Sequence, residues 1–95
     1  MSRYKLTFTD SETGTIYLLN DNMPDYDNAV FAALDYVADG ASKARENGDT
    51  STETRLFNAG LSMATEFGRR KELIDRNKEL DRVSYCGFTI TRKGE

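Results

Sequence analysis

The stretch "YKLTFTDSETGTIYLL", residues 4–19, sets the fold class of the chain. Residues 4–8 alternate, with Tyr, Leu and Phe on one side and Lys and Thr on the other, which is typical of a half-buried strand. A turn-forming segment that ends at Gly14 leads to "TIYLL", in which Ile16 and Leu18 share one face of a second strand. Two such runs around a short glycine-containing loop predict a β-hairpin.

A first amphipathic helix is predicted after the hairpin. The segment "NDNMPDYDN" is expected to stop the second strand, because Pro24 cannot continue a β-ladder. Asp25 or Asp27 can cap the helix that follows, and Gly48 provides a C-terminal stop. Apolar residues recur every three or four positions between these signals. The expected inner stripe consists of Val30, Ala33, Leu34, Val37, Ala38, Ala41 and Ala44.

A second helix is predicted to start within "DTSTET", where Thr50 and Glu53 fit a capping box. Gly68 is expected to kink this helix or to divide it, because glycine costs about 1 kcal/mol relative to alanine in a helix interior. Ile74 and Leu73 carry the apolar pattern beyond Gly68. The expected inner stripe consists of Leu56, Ala59, Gly60, Met63, Ala64 and Phe67.

The last regular segment, "VSYCGFTIT" at residues 83–91, alternates again, but its parity changes at Cys86 and Gly87. One extra residue at that point predicts a β-bulge within a single strand. The predicted order is therefore β-β-α-α-β. It forms a single α+β domain over residues 1–95, with a three-stranded antiparallel sheet covered on one face by two helices. The final strand can pair with either strand of the hairpin.

The charge, the cysteine content and the lack of a long apolar stretch exclude some classes of function. The net charge of −3 argues against a dedicated duplex-DNA binder, which usually has a basic surplus. Residues 1–50 carry four basic and nine acidic side chains, and residues 51–95 carry nine basic and seven acidic ones. The single cysteine, Cys86, is expected to be a buried structural thiol. No apolar stretch approaches the roughly 18 residues of a membrane span, so a cytoplasmic protein without a membrane partner is expected.

The chain offers little reaction chemistry. It has no histidine, which excludes Ser–His and Cys–His nucleophile pairs and zinc sites of the Cys/His type. It also has no phosphate-cradling glycine loop. We therefore expect no enzyme, no cofactor and no metal. The clustered Asp21, Asp25 and Asp27 are interpreted mainly as a solvated, helix-capping loop, with a calcium site or an acidic contact surface as alternatives.

A basic cluster at Arg69, Arg70 and Lys71 opens the stretch "RRKELIDRNKEL". Acidic residues three and four positions away, such as Glu72 with Arg76, predict a self-paired, solvent-exposed helix face. A protein-contact patch and, together with the basic tail at residues 92–93, a nucleic-acid contact are the alternatives.

The leading functional hypothesis is a small non-catalytic protein-binding module, and a nucleic-acid-associated regulator is the alternative. Tyrosine is enriched at interfaces, and Tyr26 and Tyr36 are expected to be partly exposed. An uncovered sheet face or edge, with Tyr17 on it, leaves a homodimer as a further option. The candidate partner-contact residues are Asp21, Asp25, Tyr26, Asp27, Arg69, Arg70 and Lys71.

In length, acidity and single-domain make-up, the chain resembles small accessory proteins of bacteriophages and other mobile elements, such as anti-CRISPR and host-takeover proteins. The resemblance implies a viral protein that binds and inhibits a host protein. It transfers no functional residue, because no shared motif carries it.

Overall fold

A four-stranded antiparallel sheet and two long helices make up the computed structural model, which describes residues 3–93. The strands are β1 (Arg3–Thr9), β2 (Ile16–Met23), β3 (Arg82–Tyr85) and β4 (Phe88–Lys93), in the spatial order β2-β1-β4-β3. The helices are α1 (Tyr26–Glu46) and α2 (Thr50–Lys71), and α2 continues into a π-helical segment (Glu72–Arg76). The predicted α+β class with two helices is confirmed, but the sheet has four strands rather than three.

The additional strand comes from the segment predicted to be a single bulged strand. Cys86 and Gly87 have φ values of 52° and 84°. They form a two-residue turn that sets Tyr85 opposite Phe88. Positive φ at both central residues is the requirement of a type I′ turn, whose twist matches a hairpin. The bulge prediction was wrong because a bulge and a two-residue turn shift the side-chain parity in the same way. The second strand of this hairpin, β4, pairs with β1.

Strand β2 ends at Met23, directly before Pro24 as expected, and it includes the first four residues of "NDNMPDYDN". Its apolar pair faces outward. Leu18 lies opposite Thr7, and Ile16 lies opposite Thr9. Because directly opposite residues share a face of the sheet, Ile16 and Leu18 lie on the face away from the helices. They are 67% and 58% exposed.

The core lies between the sheet and the helices. Two buried tyrosines with rings 5.8 Å apart, Tyr4 and Tyr26, cross it edge to face. The Tyr26 hydroxyl donates to the carbonyl of Phe67 (2.6 Å), and the Tyr4 hydroxyl donates to the carboxylate of Asp75 (2.5 Å). Both bonds attach the N-terminal elements to α2 and its π-helical extension. The other buried core residues are Leu6, Met23, Ala29, Ala33, Val37, Met63, Phe67, Ile74, Val83, Phe88 and Ile90.

Helix α1 begins and ends as predicted. Asp25 is its N-cap and accepts from the backbone N–H of Asn28 at 2.8 Å. At the other end Gly48 has φ of 74° and donates to the carbonyl of Arg45, while Asp49 donates to the carbonyl of Ala44. This pair of bonds is a Schellman motif, which satisfies carbonyls that the helix leaves free.

Helix α2 begins one residue earlier than the capping box required. Asp49 is the N-cap, and it accepts from the backbone N–H (3.1 Å) and the hydroxyl (2.6 Å) of Thr52. These bonds lower the pKa of Asp49, because they favour its carboxylate form. The helix then runs through Gly68 without a break and changes to π-helical geometry only after Lys71.

Candidate protein-contact surface

An apolar groove lies between α1 and α2 and opens to solvent. It encloses about 400 Å³. Its lining residues are apolar or glycine throughout, and we call this surface the helix groove: Leu34, Val37, Ala38, Ala41, Leu56, Phe57, Gly60, Leu61 and Ala64.

The groove arises because each helix carries more apolar residues than one buried stripe needs. On α2, Phe57, Leu61 and Ala64 are spaced by four and three residues and therefore share one side of the helix. All three are exposed, Phe57 at 64% and Leu61 at 57%. On α1, Phe31 is 62% exposed as well, but it does not line the groove. Phe57 and Leu61 therefore belong to an apolar surface patch rather than to the core.

The predicted inner stripes of the helices are therefore only partly correct. On α1, Ala33, Val37 and Ala44 are buried as expected, but Ala38 is exposed and lines the helix groove. On α2, Met63 and Phe67 are buried, whereas Ala64 is exposed. On both helices, the side that is buried in the structure is rotated about the helix axis relative to the inner stripe predicted from periodicity. The sequence predictions missed Phe31, Phe57 and Leu61, although the spacing of four and three from Phe57 onward was a readable signal.

Ion pairs lie beyond both ends of the groove. At one end Lys71 Nζ lies 2.8 Å from Asp27 Oδ2, which joins the end of α2 to the start of α1. At the other end Arg45 Nε lies 3.8 Å from Glu53 Oε2. The groove between these pairs is uncharged because all of its lining residues are apolar or glycine.

The predicted basic cluster is paired within the chain. Arg69 and Arg70 both reach the carboxylate of Glu66, at 3.1 and 3.7 Å. The hydrogen bond from Lys71 to Asp27 raises the pKa of Lys71, because it stabilises the charged ammonium. The acidic and basic candidates therefore meet at one pair, Asp27 with Lys71. The expected Glu72–Arg76 pair is confirmed at 3.3 Å.

The predicted acidic cluster does not converge on one point. Asp25 is occupied in capping α1, and Asp27 is bonded to Lys71. Asp21 lies on β2, where Lys93 Nζ donates to its backbone carbonyl (2.7 Å) and lies 3.3 Å from its carboxylate. Within residues 3–93, no group of three or more His, Cys, Asp or Glu side chains could hold a metal ion.

Two predictions about exposure were wrong. Tyr26 was expected to be partly exposed, but it is 1% exposed because its hydroxyl finds the carbonyl of Phe67 inside the core. Burial raises its pKa to about 12, since the charged phenolate is disfavoured there. Cys86 was expected to be buried, but it is exposed, because it is the first residue of the β3–β4 turn. Tyr36, in contrast, is partly exposed as expected, at 47%.

A second apolar cleft, of about 380 Å³, lies between the helices and the sheet beside the β3–β4 turn. Phe8, Tyr36 and Phe88 form an aromatic cluster along it, with ring centroids 4.8 to 5.6 Å apart. Val37 and Leu56 line both this cleft and the helix groove. Val37 and Leu56 therefore separate this cleft from the helix groove.

Neither helix in residues 3–93 combines the length and apolarity that crossing a membrane requires. In comparisons with known proteins, no protein-family model, no curated protein and no solved structure matches the chain.

Proposed function

We propose that the chain is a small non-catalytic protein-binding module whose helix groove receives an amphipathic helix of another protein. The observation that carries the proposal is the uncharged apolar lining of the groove, with Phe57 and Leu61 more than half exposed. Contiguous exposed apolar patches mark interaction sites on folded proteins, and aromatic residues are enriched at interface centres.

The shape of the groove suits a helix. Its lining covers residues 34–41 of α1 and 56–64 of α2, which is a length of about 12 Å along the helices. Small residues on its floor, such as Ala38, Gly60 and Ala64, let a third helix approach closely. A partner helix with apolar residues at positions i, i+3 or i+4, and i+7 would place them along this floor.

The chemistry of the partner follows from the charges around the groove. The residues that line the groove carry no charge, so they offer a partner apolar contact rather than ion pairs. Binding through it should therefore depend on apolar contact and change little with salt, because screening acts on charges. That the bound protein is a host protein, and that binding inhibits it, rests on the resemblance to phage accessory proteins alone.

The experiment is an affinity capture from bacterial lysate, with and without nuclease, using the wild-type chain, Phe57→Asp and Leu61→Asp. Both substituted residues are exposed, so the fold should tolerate a charge there. Asn58→Asp is the matched control, because it adds the same charge on α2 at an exposed residue outside the groove lining. The proposal expects one protein that is retained by the wild type and the control in both arms and lost with both groove variants.

Equal retention by all four chains would refute the groove as the contact surface. Loss of retention on nuclease treatment would instead favour a nucleic-acid-associated regulator that uses residues 69–71 and the basic tail. Arg69 is 72% exposed, which suits that alternative, although Glu66 already pairs with it. An Arg69→Ala, Arg70→Ala double variant should then lose nucleic-acid binding and reduce its salt dependence.

A further inference from the structure

Strand β2 forms one edge of the sheet, and this edge is unusually exposed. Strand β2 is the first in the order β2-β1-β4-β3, so β1 is its one neighbour among the described strands. Ile16, Tyr17 and Leu18 are 67%, 47% and 58% exposed along it. Natural sheets usually protect such an edge with charge, proline or a short strand. The opposite edge, β3, is protected in this way, since it has four residues and includes an exposed arginine.

The backbone hydrogen bonds reveal which groups of β2 point to the open side. Asp10 donates to the carbonyl of Thr15 at 2.9 Å, while Thr9 donates to the carbonyl of Gly87 on the opposite side of β1. Because bonded and non-bonded pairs alternate along an antiparallel ladder, Tyr17 shares its bonds with β1. The N–H and C=O groups of Ile16 and Leu18 therefore point away from β1, toward the open edge.

We infer that β2 pairs antiparallel with β2 of a second copy of this chain, about a two-fold axis at Tyr17. In this register Ile16 of each copy lies opposite Leu18 of the other. Both pairs use the outward backbone groups, which gives four N–H···O bonds across the two-fold axis. The inference uses a surface separate from the helix groove and does not depend on the proposed function.

The side chains fit the same register. Ile16 and Leu18 of both copies would form one apolar cluster on the outer face of the joined sheet, and the two Tyr17 rings would meet on the helix side. Residues 14–20 carry no charge, so no like charges would lie opposite each other in the paired segment. A register centred on Leu18 would instead place Ile16 opposite Asn20, beyond the point where the β1–β2 register shifts.

This self-complementarity favours a second copy over an unrelated strand. In a two-fold pairing, both copies contribute the same outward backbone groups and the same apolar side chains of residues 16–18, as in isologous interfaces. Strand addition takes its affinity from main-chain bonds, so a short segment suffices. A two-fold axis perpendicular to the sheet keeps both helix layers on the same side, and each copy would keep an open helix groove.

The test is the mass in solution, measured by sedimentation velocity over a concentration series of the full chain. The wild type should have twice the 10.7 kDa mass of one chain. Leu18→Pro should raise the dimer dissociation constant at least about tenfold, because it removes an outward N–H that β1 does not use. Leu18→Lys should do the same by placing a charge in the apolar cluster. Ser84→Lys is the matched control, since Ser84 is exposed on the outer edge strand β3.

A monomeric wild type over the whole series would overturn the inference. So would a dimer that survives Leu18→Lys, or a dimer that Phe57→Asp dissociates while Leu18→Lys does not, since that would place the second copy on the helix groove. Far-UV circular dichroism of each variant identifies unfolding, and Ile16→Lys replaces Leu18→Pro if the proline variant unfolds. Failure of this test leaves the capture experiment on the groove untouched, because the capture identifies a different protein retained by the chain, whereas this test measures the mass of the chain alone.

Discussion

Replacing Gly68 by alanine should stabilise the protein, although the sequence predicted a kink or a division at this glycine. Helix α2 runs through position 68, and an added Cβ would meet no atom within 4 Å. The substitution therefore introduces no clash, and the backbone is already helical.

The magnitude follows from helix propensity. Alanine is better than glycine in a helix interior by about 1 kcal/mol, partly because glycine loses more conformational freedom on folding. We expect the free energy of unfolding to rise by about 0.5–1 kcal/mol. For a domain of this size, a gain of 1 kcal/mol corresponds to a rise in Tm of about 4–8 °C.

Two other helical glycines provide matched comparisons. At Gly60 a Cβ would lie 3.9 Å from Val37 Cγ1, an ordinary contact, so Gly60→Ala should gain about as much as Gly68→Ala. At Gly40 it would lie 3.3 Å from Leu56 Cδ1, so the leucine must move and the gain should be smaller. Urea unfolding followed by circular dichroism measures all three. A loss of stability in Gly68→Ala would show that α2 does not pass through this position as a regular helix.

Three further predictions concern the turns and the buried tyrosines. Cys86→Asn should stabilise by about 0.5–1 kcal/mol in urea unfolding, because asparagine tolerates positive φ and Asn-Gly is the preferred type I′ pair; no gain would contradict the turn assignment. Gly87→Ala should lower the free energy of unfolding by at least about 2 kcal/mol, since its Cβ would lie 3.0 Å from the carbonyl oxygen of Thr9. A Cβ at Gly14 would meet no atom within 4 Å, so Gly14→Ala should lower it by about 1 kcal/mol; equal losses in the two variants would argue against the close approach of position 87 to Thr9. The pKa of Tyr26, raised from 10.0 to about 12, favours the folded state below pH 10, and this contribution is lost as the pH rises through 12. Tyr26→Phe should weaken the alkaline loss of stability, and an unchanged pH profile of the urea midpoint would contradict this role.

Local signals predicted the elements but not how many strands the last segment forms. The alternation of Val83, Tyr85, Phe88 and Ile90 identified extended backbone correctly. The break in parity was ambiguous, because a bulge and a tight turn both produce it, and Cys-Gly is a weaker turn signal than Asn-Gly. What separates the two is that β3 folds back on β4, with Tyr85 opposite Phe88 across the turn.

The candidate contact surface was harder to predict than the fold. Periodicity identifies that a helix has an apolar side, but it does not say which of two adjacent apolar stripes faces the sheet. On α1 the small Ala29 and Ala33 took the buried positions, because the bulky core is supplied by the tyrosines and by Met63 and Phe67. Phe31, Phe57 and Leu61 were left at the surface.

Sequence periodicity likewise does not predict whether a single polar side chain is buried or which partner it contacts. A tyrosine can be buried only where its hydroxyl finds a partner, and the partner of Tyr26 is a backbone carbonyl 41 residues away. No local pattern contains that contact. The pairing of Asp27 with Lys71 is likewise invisible in the sequence, where the two residues belong to separate charge clusters.

The pairing of β1 with β4 at the centre of the sheet affects the order in which the chain folds. Strands β1 and β4 join residues 80 positions apart at Phe8 and Phe88, and 90 apart at Arg3 and Lys93. Both hairpins and the helix pair can form from neighbouring sequence. The pairing of β1 with β4 raises the contact order, and it can form only after the long loop between the two strands has closed. On the ribosome, β1 has no partner on this side until β4 has emerged. The nascent domain therefore passes through a stage in which β1 also has an open edge, and among the described strands β4 is the one that closes it.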